Sequence, residues 1–358
     1  MSHKISPYNA TLAYMGRIES YEGVPRFVYP ASSVTVRFKG TSVAALIRSH
    51  RMYNITELGV VLDGKVSKLP YEQRDGEIRV KIAEGLDYRE HELTVYKSQA
   101  GSCWFEFLGF EFSDDTELMP KKELPSRRIE CYGDSVSAGE VVHAYYHVAS
   151  NDPDGHDGRY DDSWYAYPVI TARNLGAQIH DIAQGGIAIF DGTGYFHYPD
   201  FIGMESVYDK TAYYPEIEGG VTEWDFSKYT PDVVLFAVGQ NDPHNGDDLP
   251  DNDITDPEFR GKWIKRYTDI IRDLRRKYPN AVFILLLTVL CHSPEWDDVL
   301  DEIVDELDDD RTVHFRFTRA GAATPGHPRL TEQYEMAEEL TAFISAMGDG
   351  IWSEQESE

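Results

Sequence analysis

The sequence predicts an all-β sandwich followed by a three-layer α/β domain built on a parallel sheet. Three observations predict it. Residues 1–112 alternate apolar and polar with period two and show no helical period. Residues 128–348 alternate continuous apolar runs, of the kind that forms strands covered on both faces, with amphipathic helical stretches. Residues 113–127 between them are polar, carry Pro120 and Pro125, and read as a linker.

In the first part Val34, Val36 and Phe38 alternate, as do Val43, Ala45 and Ile47. Val60-Val61-Leu62 and Lys65-Val66 flank Asp63-Gly64, the signal of a two-residue hairpin. Ile78, Val80 and Ile82 form one further strand pattern and His91, Leu93 and Val95 another; Phe105, Phe107, Phe110 and Phe112 close the series. Short strands at this spacing fit a jelly roll. In the second part Arg128–Tyr132 is a short strand ending at Gly133, and the runs at Val233–Val238, Ala281–Leu287 and Val313–Phe317 are buried strands. Helical faces are marked by Trp263, Tyr267, Ile270, Ile271 and Leu274, by Val299, Leu300, Ile303, Val304 and Leu307, and by Met336, Leu340, Phe343 and Met347. Residues 349–358 are expected to fray.

Composition narrows the function. Of 358 residues, 34 are Lys or Arg and 62 are Asp or Glu, a net charge of −28. That balance opposes a nucleic-acid partner, which needs cations to displace counterions, and opposes an anionic lipid surface. The longest apolar run, 281–291, is broken by Thr288 and is too short to cross a membrane. The first residues carry no apolar stretch, so a cytoplasmic location is expected; a removed leader would instead mean secretion. Cys103, Cys131 and Cys291 cannot all pair and show no Cys-x-x-Cys spacing. They read as buried thiols rather than zinc or redox sites. Asp152-Pro153-Asp154-Gly155-His156-Asp157-Gly158 has acidic spacing, but His156 and Asp157 stand where a calcium loop needs an oxygen ligand and a glycine. Asp301–Arg311 reads as a solvated helix face. Aromatic surface on the β domain offers one route to a homo-oligomer.

Four short motifs lie at strand ends, where ligands bind in open parallel sheets. In Gly133-Asp134-Ser135-Val136-Ser137-Ala138-Gly139, a tight turn would set Ser135 at a helix N-terminus facing a developing anion. The string is not the Gly-x-Ser-x-Gly elbow. Asp181-Ile182-Ala183-Gln184-Gly185-Gly186 would let a backbone N–H approach a ligand. Gly239-Gln240-Asn241-Asp242 follows the Val233–Val238 strand and can aim an amide at the same place. Pro325-Gly326-His327-Pro328 holds a histidine between the last strand and the last helix. Each has an ordinary reading as a cap or polar turn; their order is what gives them weight.

Together these motifs resemble the SGNH, or GDSL, hydrolase superfamily over residues 128–346, with Asp225-Phe226-Ser227 and Pro231-Asp232-Val233-Val234 leading into Gly239-Gln240-Asn241-Asp242 as the most specific stretch. A β domain ahead of such a module is similar to carbohydrate esterase family two, a jelly roll joined to an SGNH domain that deacetylates plant polysaccharides. The resemblance implies Ser135 as nucleophile and His327 as base. It implies an oxyanion hole of the Ser135 N–H, Gly186 (with Gly185 as fallback) and Asn241. Asp134, Tyr195 and Asp242 are the candidate substrate contacts. No metal or cofactor is implied, and the partner is an acetylated oligosaccharide or polysaccharide.

One departure stands out. The superfamily usually has Asp three residues before the histidine, and here that residue is Thr324. Either a backbone carbonyl or a distant acid must hold the imidazole. The expected arrangement is a Ser–His dyad held by a carbonyl. Two other functions stay open: a lipid or thioester hydrolase of the same superfamily, and a carbohydrate-binding protein with an inactive esterase domain. Tyr195, Phe196, His197, Tyr198, Phe201, Tyr208, Tyr213 and Tyr214 carry polar tips that suit sugar rings better than acyl chains, though packing is their ordinary role.

Overall fold

Alternating apolar residues in the first third of the chain pair into ten strands: β1 (Ser2–Ile5), β2 (Ala13–Met15), β3 (Glu19–Tyr21), β4 (Val24–Phe27), β5 (Ser33–Arg51), β6 (Glu57–Leu62), β7 (Lys65–Pro70), β8 (Ile78–Lys97), β9 (Cys103–Ser113) and β10 (Glu117–Leu118). All pair antiparallel in one network of order β3-β4-β9-β5-β8-β6-β7, with β1 on β9 and with β2 and β10 on β5. The structure, a computed structural model, describes residues 2–51, 56–101, 103–155, 157–197, 200–214, 217–247 and 249–353. His156, Tyr198 and positions 354–358 of the tail lie outside the described residues.

Strand β5 pairs with β8 and β9 and feeds one core along its length. Val34, Val36 and Phe38 and then Val43, Ala45 and Ile47 all reach a single apolar cluster. The odd step from Phe38 to Val43 would turn the second set outward, because side chains alternate faces. Register shifts at Gly40/Ser42 and Val43/Ala44 absorb the mismatch. The expected hairpin forms: Leu62 opposes Lys65, and Asp63 and Gly64 take φ of 49° and 80°, as a type I′ turn demands.

Three expectations need correction here. The two patterns at 78–82 and 91–95 are one strand, β8; its mostly polar middle is largely outward-facing, with Glu84 and Arg89 paired to β5 across an irregularity that leaves residues 85–88 without a β5 partner. The stretch read as a linker contains β10, whose Glu117 and Leu118 pair with Lys39 and Phe38. The tail is tied down as far as Ser353: Arg127 pairs with Asp349 and lies over Trp352, and Ser353 donates to Asp232.

The second part is β11 (Arg127–Gly133), α1 (Ser135–Ala138), α2 (Tyr167–Asn174), β12 (Ala177–Ala183), α3 (Met204–Val207), β13 (Lys210–Ala212), β14 (Thr222–Glu223), β15 (Val233–Ala237), α4 (Pro257–Lys277), β16 (Val282–Leu285), α5 (Pro294–Leu307), β17 (Thr312–His314) and α6 (Leu330–Ala346). Five strands form a parallel sheet of order β12-β11-β15-β16-β17. One face packs on Trp263, Tyr267 and Leu274 of α4 and Val299 and Ile303 of α5. The other packs on Val169 and Ile170 of α2 and Met336 and Leu340 of α6. The fold is therefore an antiparallel β domain joined to a three-layer α/β domain. At the joint, the fully buried Arg17 donates to Glu130 and Tyr132 of β11 and to the carbonyls of Tyr208 and Lys210. Among the described residues no helix is long and apolar enough to cross a membrane. Cys103 and Cys131 are buried, but Cys291 is exposed, against expectation, because the chain leaves the sheet after Leu285 and runs into a rim loop.

Candidate active site

The loops after β11, β12, β15 and β17 converge on a pocket of about 550 Å³. Ser135 begins α1, a single turn of four residues capped by Asp134. A helix that short has little macrodipole; Ser135 lines the pocket, and among the described residues its backbone N–H has no acceptor. Across it, His327 Nε2 lies 2.7 Å from Ser135 Oγ. The other ring nitrogen, Nδ1, lies 2.6 Å from Asp152 Oδ2. An ionised carboxylate only accepts, so Nδ1 carries the hydrogen and Nε2 is left to accept from Ser135.

The imidazole is thus held by a carboxylate and not by a carbonyl, which corrects the expected dyad. Asp152 also accepts from the His327 backbone N–H at 3.0 Å and from the buried Arg329 at 2.8 Å. Arg329 donates as well to the carbonyl of His327, which closes the ring of contacts. Gly326 takes φ of 82°, and a Cβ there would stand 2.6 Å from Asp152 Oδ1, so only glycine lets the acid approach. Thr324 is turned away: its N–H donates to Glu332 of α6 at 2.8 Å.

Electrostatics follow from these partners. Burial raises the Asp152 carboxyl, but the His327 and Arg329 hydrogen bonds outweigh it and bring the pKa to about 2. Burial pulls the His327 imidazole down, and the hydrogen bond to Asp152 with that carboxylate's charge pushes it above the usual histidine value.

The segment that delivers Asp152 rests on the β domain. Asp162 N–H donates to the Gly139 carbonyl, Tyr96 of β8 donates to the Asp162 carboxylate, and Ser163 donates to the carbonyls of Ser98 and Lys97. Sequence reasoning missed both Asp152 and Arg329. Asp152 had surfaced only as the first residue of a rejected calcium loop, and its partner lies 175 residues away.

Gly185, Gly186 and Asn241 all line the same pocket. Among the described residues neither the Gly185 nor the Gly186 N–H has an acceptor. Asn241 is braced by donating one amide hydrogen to the Ile187 carbonyl at 3.0 Å, which leaves the second free. Gln240 accepts from Thr288 N–H and Oγ, which ties the β15 and β16 loops together.

Two proposed substrate contacts do not reach the pocket. Asp134 is fully buried as the α1 cap and accepts from Val136 N–H at 2.9 Å. Asp242 is fully buried and accepts from Ile189 N–H and from Trp263 Nε1 at 2.7 Å. Asp242 is taken up by local donors, Asp134 accepts through Oδ1 alone, and burial raises the two to about 7 and about 6. Tyr195 does stand at the rim, 65% exposed and stacked on His244 with centroids 4.1 Å apart. Phe196, Tyr213 and Tyr214 are core residues, with both tyrosine hydroxyls donating to Gln184.

Residues 14–121 match the family described as Carbohydrate esterase 2 N-terminal. The chain is 28% identical over 348 residues to cellulase/esterase CelE of Acetivibrio thermocellus, covering 94% of this chain and 39% of that protein. It thus spans well under half the length of that relative. It is 27% identical over 367 residues to the acetylxylan esterase / glucomannan deacetylase of Cellvibrio japonicus, covering 97% and 92% of the two chains. A solved family two carbohydrate esterase from Clostridium thermocellum, in complex with cellohexaose, superposes with a TM-score of 0.76 at 25% identity, over 94% of this chain and 98% of that one. The N-terminal third of the chain thus matches the carbohydrate esterase 2 family model, and the whole chain is similar to family two carbohydrate esterases. With Thr324 three residues before the histidine, the carboxylate at Nδ1 comes from Asp152 instead.

Proposed function

We propose that this protein is a serine esterase that removes O-acetyl groups from plant-derived carbohydrate, xylo-, manno- or gluco-oligosaccharides among them. The observation that carries the reading is the relay Ser135–His327–Asp152, with bonds of 2.7 and 2.6 Å, at the mouth of a pocket lined by unengaged N–H groups. The relatives' printed activities, acetylxylan esterase and glucomannan deacetylase, support the substrate class. The exposed Tyr195–His244 stack at the rim suits a sugar ring. We also read the β domain, in which β5 pairs with both β8 and β9, as a jelly roll.

The steps follow from the geometry. His327 Nε2 takes the Ser135 hydroxyl proton as Oγ attacks the acetyl carbonyl. The oxyanion is held by the Ser135 N–H, Gly186 N–H and the free Asn241 amide hydrogen, with Asp152 stabilising the imidazolium. His327 then gives its proton to the departing sugar oxygen as the carbon–oxygen bond breaks, leaving acetyl-Ser135. Water, deprotonated by His327, attacks that ester; acetate leaves and Ser135 regains its proton.

The test is acetate release from acetylated xylo-oligosaccharides and from 4-nitrophenyl acetate by the protein and its Ser135→Ala variant. Loss of at least about 10⁴ in kcat on both, with an unchanged circular dichroism spectrum, is expected. Substantial turnover by the variant contradicts the nucleophile.

A further inference from the structure

Glu140 lines the catalytic pocket and has no task in the steps above. Its Oε2 lies 4.0 Å from His327 Nε2, the nitrogen that handles the proton. Its carboxyl lies over Gly185, where a Cβ would stand 1.9 Å from Oε1, so the chain makes room for this acid at the edge of the oxyanion segment. Among the described residues neither carboxyl oxygen has a hydrogen-bond partner. The backbone holds it there firmly. Glu140 N–H donates to the Ser135 carbonyl at 3.0 Å, and the next residue, Val141, is a β-branched side chain at φ of 61°. That strained conformation is pinned by Val141 N–H on Asp161 and by Leu330 N–H on the Val142 carbonyl.

The charged groups facing Glu140 come from several elements: Asp161 of the same long loop, Asp134 before α1, Asp152 and His327 beside the nucleophile, and Lys97 at the end of β8. Burial first, and then the Asp161 charge, raise the carboxyl to about 8 against the opposing pull of His327. That upward shift favours the protonated acid, which can donate one hydrogen bond and accept another.

In the reaction Nε2 must come within about 3 Å of the departing oxygen. A carboxyl 4.0 Å from the same nitrogen stands beside whatever is attached next to that oxygen. We propose that Glu140 hydrogen-bonds a second hydroxyl of the leaving alcohol, neighbouring the acetylated one, and so selects polyhydroxy leaving groups. This rests on the esterase reading of the same pocket.

The test compares the protein with its Glu140→Ala and Glu140→Gln variants on two esters between about pH 6 and pH 9. One is an acetylated xylo-oligosaccharide; the other is 4-nitrophenyl acetate, whose leaving group has no neighbouring hydroxyl. Glu140→Ala is expected to lose about tenfold more kcat/KM on the sugar ester than on the nitrophenyl ester. Glu140→Gln, which keeps a donor and an acceptor, is expected to retain the ratio. With Glu140 in place, kcat/KM on the sugar ester should fall as pH rises through about 8, when the acid loses its donor and places a charge beside the oxyanion; the glutamine should abolish that fall. Equal losses on both esters in Glu140→Ala, or an alkaline fall that persists in Glu140→Gln, overturns the role of Glu140 alone. Hydrolysis of the nitrophenyl ester with no acetate from the sugar ester, by the unmodified protein, overturns the carbohydrate reading and the hydroxyl contact with it.

Discussion

The two edges of the His327 ring face carboxyls in opposite conditions. At Nδ1, Asp152 sits among the imidazole, a backbone N–H and the guanidinium of Arg329, and its pKa is driven down to about 2. Beyond Nε2, the half-buried Glu140 stands among Asp161, Asp134 and Asp152 without a hydrogen-bond partner among the described residues, and it rises to about 8. Asp242 is the intermediate case: two N–H donors but no cation, and a pKa of about 7. The lesson is that burial alone does not decide the charge of a carboxyl in this site; the cation and the donors around it do. The arrangement puts a fixed negative charge where the imidazolium needs it and keeps charge away from the oxyanion.

The strongest way to break this contrast is to neutralise the charged edge. Asp152→Asn should lower kcat on 4-nitrophenyl acetate by about 10⁴, because an amide favours the wrong tautomer of His327. Steady-state kinetics at pH 7.5 to 8 read it. A smaller effect is expected from Arg329→Gln, which leaves the Asp152 carboxylate in place but removes its guanidinium and the link to the His327 carbonyl. Misplacement of the acid should cost about 100-fold in kcat/KM. It should also lower the urea midpoint, since Arg329 is buried and its partners lose their donor.

The smallest effect concerns Asp242. Its folded pKa of about 7 lies above the unfolded carboxylate value, so the folded state binds the proton more tightly. The group therefore subtracts stability progressively as pH rises from about 4 to about 7. Asp242→Asn still offers an oxygen to Ile189 N–H and Trp263 Nε1 but cannot ionise. Its urea midpoint should match the unmodified protein at about pH 4 and exceed it at about pH 8, by about 1–3 kcal/mol in unfolding free energy. A variant less stable at both pH values would mean that Asp242 matters through packing rather than charge.

Much of this was legible in the sequence, for physical reasons. The continuous run Val233–Ala237 and the apolar face of α4 announce themselves because the sheet is covered on both sides and each period is local. Asp63-Gly64 announces its turn because both residues must take positive φ. Ser135, Gly186, Asn241 and His327 were locatable because each follows a strand or precedes a helix, so the sheet itself sets their places. Asp152, Glu140 and Arg329 had no such guide. The loop between α1 and α2 has no repeat, and its path is set by distant partners: Ser98, Lys97 and Tyr96 of the β domain and Leu330 at the start of α6. The continuity of β8 was hidden for a related reason, since its middle passes through an irregularity, is largely solvent-facing and carries no apolar period.

The central claim is that Asp152, in place of an acid at position 324, holds and charges the His327 imidazole. The pH dependence of kcat/KM on 4-nitrophenyl acetate tests it most directly, because His327 must be neutral to act as a base. In the unmodified protein the activity should rise through a pKa above the usual histidine value. In Asp152→Asn, with the raising hydrogen bond and charge removed, the rise should move to lower pH while the plateau drops. A variant whose acid limb stays where it was, or whose plateau is undiminished, contradicts the account.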